Sequence, residues 1–288
     1  MEVEKQVLSI AVIGTGTMGK GIVQILAQAD HVASVIWKGT SLSSVQKAFS
    51  ELEMQWGRMV AKKRLDPETA SRFIRKIHLA EDYDVLGHVR CIIEAVPENI
   101  GTKRELFAQL ARVAGLDTIL ASNTSSLSIT ELASLTSNPA NVVGLHFFNP
   151  APVMKLTEVI AGLTTSQATL EWALAFARQL GKDPVVVNEA PGFIVNRMLI
   201  PMINEAIGIL AEGVASAEEI DKAMRLGANH PIGPLALADL IGNDVNLSIM
   251  ETLHNETGDP KYRAHPLLRK MVRANSLGRK TGFGFFKY

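Results

Sequence analysis

The feature that most constrains how this chain can fold is a glycine-rich turn close to its first residues. A short apolar run at residues 7–13 ends in the sequence GTGTMG at residues 14–19. Beyond the turn, apolar side chains recur at the spacing of one helix face. Strand, glycine turn and helix in this order form the context in which a GxGxxG pattern carries weight. The start of the chain therefore predicts a Rossmann-type nucleotide-binding unit.

Each glycine of the turn has a separate expected role in holding a dinucleotide. Gly14 permits the tight turn, Gly16 lets backbone amides approach a pyrophosphate, and Gly19 lets helix and strand pack closely. The helix N-terminus adds a partial positive charge to the same place. We therefore expect cofactor binding at these glycines and at Thr17 and Met18, against the alternative of a purely structural glycine turn.

Further apolar runs alternate with helical segments as far as residue 188. Candidate strands after the first lie at residues 32–37, 91–96, 119–121, 142–145 and 185–187. A charged segment, residues 42–80, has helical character throughout. Strands that alternate with helices predict an α/β fold with a doubly wound, mainly parallel sheet.

The pattern changes at the sequence NEAPG, residues 188–192, beyond which every segment has helical character. Ser216 and Glu219 have the spacing of a capping box at the start of one helix. The sequence thus predicts a Rossmann-type dinucleotide-binding domain at residues 1–188, followed by an all-helical substrate and dimerisation domain at residues 189–288. The apolar surface of these helices exceeds what so small a domain can bury alone, which favours a homodimer.

Charge and cysteine content narrow the possible partners and location. The 29 basic and 29 acidic side chains balance, so no overall field attracts nucleic acid or an anionic membrane. The single cysteine, Cys91, fits a reducing compartment. Residues 1–5 lack the basic start of a secretory signal, and no apolar run approaches the ~20 residues of a membrane span. We expect a cytoplasmic protein without a metal, since metal-ligand spacings are missing from the sequence.

The end of the second strand carries a specificity signal. NAD-binding domains usually place an acid there, about 20 residues after the turn, to hold the ribose 2′-hydroxyl. Here Lys38 is followed by Thr40 and Ser41, whereas Asp30 lies too early. A cation beside hydroxyls suits a 2′-phosphate, so NADP(H) is favoured slightly over NAD(H). The alternative is that Lys38 is an ordinary solvated residue.

A histidine and a carboxylate indicate the chemistry. His146 and Glu158 lie twelve positions apart. A carboxylate fixes the tautomer of a histidine and stabilises its imidazolium form, which makes the pair a general acid/base. From spacing alone, His146 could equally be a satisfied core residue beside Phe147 and Phe148, and Glu158 a surface charge.

Several longer motifs accompany these residues in a fixed order. They are the glycine turn, PEN at 97–99, SNTSSL at 122–127, HFFNP at 146–150, PGFIVNR at 191–197 and LGRKTG at 277–282. Through them, nearly the whole chain resembles the L-3-hydroxyacyl-CoA dehydrogenase family, of the short 3-hydroxybutyryl-CoA type. The missing acid after the second strand departs from the family's usual NAD pattern.

The resemblance implies roles for named residues. The resemblance implies that His146 is the catalytic acid/base and that Glu158 is its partner. It also implies that Ser125 and Asn196 hold the reacting oxygen of the substrate. The implied cofactor contacts are Asn149 at the nicotinamide, with Glu98, Lys103 and Lys280 nearby, and Lys63 is implied to meet the phosphates of coenzyme A.

Each implied role has a structural alternative. Ser125 could belong to a loop before a helix capped by Ser128, and Asn196 could make a structural hydrogen bond on its apolar helix. Lys63 lies in the run KKR at residues 62–64, on a presumed helix, where most charges are solvated.

The expected activity is the interconversion of 3-hydroxybutyryl-CoA and acetoacetyl-CoA in fatty acid metabolism, by a homodimer whose substrate includes coenzyme A. Two alternatives remain. A dehydrogenase of free 3-hydroxy acids would need no coenzyme A site. A non-catalytic nucleotide-binding relative would be expected to lack the histidine or the carboxylate, and both are present.

Overall fold

The computed structural model describes residues 7–288, which form two compact units that divide between Glu189 and Ala190. We call residues 7–189 the sheet unit and residues 190–288 the helical unit. The strands of the sheet unit are β1 (Leu8–Ile13), β2 (Val32–Lys38), β3 (Ile77–Ala80), β4 (Cys91–Glu94), β5 (Ile119–Ser122), β6 (Val142–Phe147), β7 (Leu156–Ala161) and β8 (Asp183–Asn188). Its helices are α1 (Thr17–Gln28), α2 (Leu42–Ala61), α3 (Pro67–Arg75), α4 (Ile100–Val113), α5 (Ile129–Ala133) and α6 (Gln167–Gln179).

The strands form one sheet in the order β3-β2-β1-β4-β5-β6-β7-β8. Neighbouring strands are parallel except for β7, which runs antiparallel to β6 and is followed in parallel by β8. The chain order reverses between β1 and β4, which is the switch point where doubly wound sheets bind ligands at the carboxyl ends of their strands. The predicted Rossmann-type sheet is confirmed.

The central strands are buried on both faces. Every residue of β4, β5 and β6 is buried, which is why these strands are continuous apolar runs rather than alternating ones. Helices cover the sheet, and Trp37, Trp56 and Phe176 are among the largest fully buried side chains of its core. Cys91 lies inside this core, where burial raises the pKa of its thiol.

The prediction that residues 42–80 are helical throughout is wrong in two places. Helix α2 ends at Ala61, and Lys63 adopts a φ of 55°, which a helix interior does not allow. The run KKR therefore lies in the turn before α3. Residues 77–80 form β3, which pairs with β2 at the sheet edge. Four residues are too few to reveal a strand period in the sequence.

The helical unit contains α7 (Val195–Ala211), α8 (Ala217–Gly227), α9 (Pro234–Ile241), α10 (Asn243–Thr257) and α11 (Pro266–Arg273). Ser216 caps α8 by accepting a hydrogen bond from the Glu219 amide, which is one half of the predicted capping box. The Glu219 carboxylate accepts a hydrogen bond from Lys222 rather than completing the box. A buried carboxylate, Asp239, accepts the amides of Phe285 and Phe286 at 2.9 Å each, which ties the end of the chain to α9.

No helix within residues 7–288 combines the length and the apolar character needed to cross a bilayer. Residues 1–5, whose charges bear on the secretory-signal prediction, lie outside the described residues.

Candidate active site

The glycine turn between β1 and α1 is shaped by close backbone contacts. Gly14 has a φ of 124°, and a Cβ there would lie 2.3 Å from the carbonyl oxygen of Ala95. A Cβ on Gly19 would lie 2.2 Å from the carbonyl oxygen of Gly14. Backbone conformation and packing inside the protein therefore already require glycine at both positions.

Gly16 differs, because a Cβ there would meet no atom within 4 Å. Gly16 and Thr17 are exposed and Met18 is half-buried, and no side chain caps the start of α1. The first turn of α1 also carries no acidic residue. Exposed amides at a helix start without an acid suit an anionic group, and the missing Cβ leaves room for it to approach. These residues fit the pyrophosphate of a dinucleotide.

Trp37, on β2, supports this turn from behind. Its indole N–H donates to the carbonyl oxygen of Gly14 at 2.8 Å, and the Gly14 amide donates to the carbonyl oxygen of Lys38 at the same distance. Trp37 is fully buried. Sequence reasoning missed this contact, for which the only signal was an aromatic residue in a strand that follows a glycine turn.

Lys38, the last residue of β2, is only 6% exposed, so its interpretation as a solvated surface residue is wrong. Its ammonium donates to the carbonyl oxygen of Gly39 at 3.1 Å and lies 4.3 Å from the centroid of the Tyr83 ring. Thr40 is exposed, whereas the Ser41 hydroxyl caps α2. The turn after β2 therefore presents a held cation and the start of a long helix, with no carboxylate among residues 35–41.

His146 and Glu158 are directly opposite each other on the antiparallel strands β6 and β7. The imidazole Nδ1 lies 2.7 Å from Glu158 Oε2, and the two residues are 6% and 1% exposed. A carboxylate at this distance accepts the Nδ1 proton, which fixes the tautomer and the orientation of the imidazole ring. The predicted pair is thus in contact, and its twelve-residue spacing is the length of one strand hairpin.

Glu98 holds the loop that contains Ser125. One carboxylate oxygen accepts the hydroxyl of Thr124 at 2.6 Å, the amide and hydroxyl of Ser125 at 2.8 and 3.1 Å, and the amide of Ser126 at 3.2 Å. Burial by itself raises the pKa of Glu98, but the Lys103 ammonium and these hydrogen bonds outweigh it and lower that pKa below its usual value. Glu98 is therefore ionised near neutral pH.

Lys103 is buried beneath this loop, with 1% of its surface exposed. Its ammonium lies 2.6 Å from Glu94 Oε1 and 3.2 Å from Glu98 Oε2. Glu94 also accepts the Ser122 hydroxyl at 2.5 Å. The ammonium of Lys103 is thus paired with two carboxylates of the protein itself. Glu94 was not singled out from the sequence, and Ser122 was named only as the first residue of the SNTSSL motif, although both end short apolar strands.

The sheet gathers most of the predicted site residues at one edge. Gly14 follows β1, Glu98 follows β4, Ser125 follows β5 and Asn149 follows β6, and these four strands are parallel. The carboxyl ends of parallel strands share one edge of the sheet, so the side chains after them face a common crevice.

Three predicted residues do not follow strands of the sheet. Lys63 is exposed in the turn between α2 and α3. In the helical unit, Asn196 is buried in the first turn of α7, and Lys280 forms a 2.5 Å ion pair with Asp244. Ser128 caps α5 as expected, by accepting the amide of Glu131. Among the residues that the structure describes, no three His, Cys, Asp or Glu side chains are grouped to hold a metal ion.

Two family models match the chain. The model described as "3-hydroxyacyl-CoA dehydrogenase, NAD binding domain" matches residues 9–190, and "3-hydroxyacyl-CoA dehydrogenase, C-terminal domain" matches residues 192–288. The chain belongs to the 3-hydroxyacyl-CoA dehydrogenase family. This confirms the resemblance predicted from the motifs.

Individual members of the family match this chain along almost their whole length. The 3-hydroxybutyryl-CoA dehydrogenase of Clostridioides difficile is 51% identical over 281 residues, which cover 98% of this chain and 99% of that protein. A probable 3-hydroxybutyryl-CoA dehydrogenase of Bacillus subtilis (strain 168) is 48% identical over 284 residues, 98% of each. The crystal structure of (S)-3-hydroxybutyryl-CoA dehydrogenase PaaH1 from Ralstonia eutropha has a TM-score of 0.93 at 46% identity, with 98% and 99% coverage.

The hydrogen bond from Trp37 to Gly14 should contribute to cofactor binding, because it supports the glycine turn. Trp37→Phe keeps an aromatic ring and removes the donor, which leaves the Gly14 carbonyl without its indole partner. We expect the KM for the nicotinamide cofactor to rise roughly fivefold, since one such bond contributes about 1 kcal/mol, with little change in kcat.

Trp56→Phe is the matched control. The Trp56 indole nitrogen is also buried, but it has no hydrogen-bond partner among residues 7–288. Loss of the Trp56 indole nitrogen should leave the KM for the cofactor unchanged. Equal cofactor KM values for the two variants would show that the Trp37 bond does not support the turn.

Proposed function

We propose that this chain catalyses the reversible oxidation of 3-hydroxybutyryl-CoA to acetoacetyl-CoA. The observation that carries the proposal is the buried His146–Glu158 pair, with 2.7 Å between its nitrogen and oxygen, in a 3-hydroxyacyl-CoA dehydrogenase family member. The names of the similar proteins from Clostridioides difficile and Ralstonia eutropha support the short acyl chain.

His146 handles the proton at the C3 oxygen of the substrate. In oxidation, its Nε2 takes the proton of the C3 hydroxyl, and in reduction the imidazolium returns that proton to the 3-keto oxygen. Glu158 stabilises the charged ring in both directions through Nδ1. Positioned acid/base groups of this kind contribute about 10²–10⁴-fold in rate.

The glycine turn holds the cofactor in this proposal. Gly14, Gly16 and Gly19 shape the backbone, and the amides of Thr17 and Met18 at the start of α1 receive the pyrophosphate. The chemistry that a nicotinamide dinucleotide would supply there is hydride exchange with C3 of the substrate. Asn149 lies in the connection after the strand that carries His146, where it orients the nicotinamide, and Glu98, Lys103 and Lys280 complete the proposed cofactor surroundings.

Ser125 and Asn196 position the reacting oxygen of the substrate. The bonds from Ser125 to Glu98 support this role, because they hold its loop at the edge of the sheet where the cofactor turn also lies. Lys63 receives a phosphate of coenzyme A. Its exposure beside Lys62 and Arg64 in the turn after α2 leaves this cationic group open to an anionic ligand.

Two alternatives are weaker. A dehydrogenase of free 3-hydroxy acids has no use for the exposed basic turn at residues 62–64. A non-catalytic relative has no use for a buried histidine–carboxylate pair, because two buried ionisable groups are costly to keep.

The activity is tested by reduction of acetoacetyl-CoA, followed as loss of cofactor absorbance. His146→Gln should lower kcat by at least ~100-fold and leave cofactor affinity unchanged, because it removes the proton carrier alone. His78→Gln is the control, since His78 is exposed on the edge strand β3. Near-normal turnover of His146→Gln would contradict the assignment, and a wild-type enzyme active only on free acids would favour the other dehydrogenase.

We also propose that NADP(H) is preferred slightly over NAD(H). The support is the buried ammonium of Lys38, in a turn that has no carboxylate among residues 35–41. A 2′-phosphate is stabilised by such a cation, whereas a ribose hydroxyl needs an acceptor.

Lys38→Asp should move the preference toward NAD(H), because it exchanges the cation for a hydroxyl acceptor. The ratio of kcat/KM for NADPH to that for NADH is measured for wild type, Lys38→Asp and Lys38→Met. We expect roughly a tenfold or larger fall for Lys38→Asp and a smaller fall for Lys38→Met, which removes charge without adding an acceptor. Unchanged ratios in both variants would remove Lys38 from this role.

We further propose that the chain forms a homodimer joined through the helical unit. Large apolar side chains on α8, α9 and α10 are exposed, including Leu226 at 78% and Leu240 at 53%. Sedimentation should give twice the 31.2 kDa mass of one chain. Leu240→Glu should favour monomers, whereas Leu116→Glu, at an exposed site of the sheet unit, should not. A wild-type monomer would overturn the proposal.

A further inference from the structure

The connection between β6 and β7, residues 148–155, joins the strands that carry His146 and Glu158, and it contains Asn149. Its backbone folds back on itself, because the amides of Val153 and Met154 donate to the carbonyl oxygen of Pro150 at 2.9 and 3.0 Å. These local bonds shape the connection but do not fix it to the rest of the sheet unit.

One side of the connection packs against α1. A Cβ on Gly21 would lie 3.1 Å from the Cβ of Ala151 and 3.4 Å from the Cδ of Pro152. The glycine therefore lets the connection touch the helix that follows the cofactor turn. Ala151 is 3% exposed, so the contact is part of the core.

The other side is held by Lys182, which precedes β8. Its ammonium donates to the carbonyl oxygens of Ala151 at 2.5 Å and Met154 at 2.8 Å. The amide of the next residue, Asp183, donates to the carbonyl oxygen of Lys155 at 2.9 Å. Hydrogen bonds from a charged donor are roughly twice as strong as those between neutral groups. Lys182 therefore fastens the connection at two carbonyls through its side chain, and the amide of Asp183 fastens it at a third.

Lys182 is an unusual residue for this purpose. It is 6% exposed and forms no ion pair within residues 7–288. Burial and the neighbouring charge of Lys155 lower the pKa of its ammonium. A buried cation without a counter-charge is costly, and an apolar side chain would pack at lower cost but would leave both carbonyls unsatisfied.

We propose that Lys182 is a positioning residue for hydride transfer. It clamps the connection that carries Asn149 against α1, and thereby sets the nicotinamide relative to the His146–Glu158 hairpin. The inference rests on the proposed dehydrogenase function. Lys182 itself is not a catalytic residue, because its ammonium is used by backbone carbonyls.

The test compares Lys182→Met and Lys182→Ala with Lys155→Met. Lys155 is the matched control, since it is exposed, carries the same charge and lies in the same cleft. For both Lys182 variants we expect kcat/KM for the cofactor to fall at least tenfold, while KM for acetoacetyl-CoA stays within about twofold. The deuterium isotope effect on kcat, with cofactor labelled at C4, should rise because a misplaced nicotinamide slows hydride transfer.

Chemical rescue separates positioning from general stability. A cleft of about 360 Å³ is lined by Lys182 and Lys155, so small amines can reach the space left by Lys182→Ala. Ethylammonium should raise the kcat/KM of Lys182→Ala at least fivefold. Tetramethylammonium, which has no N–H donor, should not raise it. Lys182→Arg should retain more activity than Lys182→Met.

Two results would overturn the inference. One is that folded Lys182 variants have the same kcat/KM for the cofactor and the same isotope effect as Lys155→Met. The other is equal rescue by both ammonium ions. If wild type fails to reduce acetoacetyl-CoA, the proposed function fails instead. Cofactor binding, measured by fluorescence, still tests the role of Lys182 in that case. We expect at least fivefold weaker binding in Lys182→Met and unchanged binding in Lys155→Met.

Discussion

The hydrogen bond between His146 and Glu158 depends on the reversal of a single strand. Every strand from β3 to β6 is parallel to its neighbour, and β7 then turns back along β6. A parallel neighbour would need a long crossover, whereas the antiparallel hairpin places two residues near in sequence directly opposite each other. Both side chains are buried, where each would be costly without the other. The hairpin thus offsets the cost of burying the pair, and every contact that fixes the hairpin also fixes the geometry of the proposed acid/base pair.

The buried lysines of the sheet unit follow one rule. Lys38, Lys103 and Lys182 are each 6% exposed or less. Lys38 donates to the carbonyl that follows its strand, Lys103 binds the carboxylate that holds the Ser125 loop, and Lys182 donates to two carbonyls of the β6–β7 connection. In each case the ammonium lies under a segment proposed to touch cofactor or substrate. A loop rigid enough to position a ligand must have its backbone polar groups satisfied from within, and a long flexible cation supplies donors where no strand pairs.

What the sequence could predict depended on how local each signal was. The glycine turn, the apolar strands, the change to helices and the Ser216 cap are patterns within a few residues, and the structure has all of them. Strand β3 and the turn at Lys63 were mispredicted because four-residue elements and left-handed residues leave little trace in a helical-looking segment. The burial of Lys182 was not predictable, since its partners Ala151 and Met154 lie 31 and 28 positions away. Motif resemblance named Glu98 and Lys103, but only the structure relates them to Ser125.

The sheet order separates the residue proposed to select the cofactor from the pair proposed to perform the chemical step. Lys38 ends β2 and His146 lies on β6, with β1, β4 and β5 between them. Four strand spacings of ~4.8 Å put the two positions about 19 Å apart along the sheet. The glycine turn after β1 lies between them, as the pyrophosphate lies between the two ends of a dinucleotide. A residue proposed to select between a 2′-phosphate and a 2′-hydroxyl at the end of β2 therefore lies apart from the His146–Glu158 pair. The departure from the usual acid at this strand end is thus compatible with an intact acid/base pair, because no described contact links Lys38 to the β6–β7 hairpin.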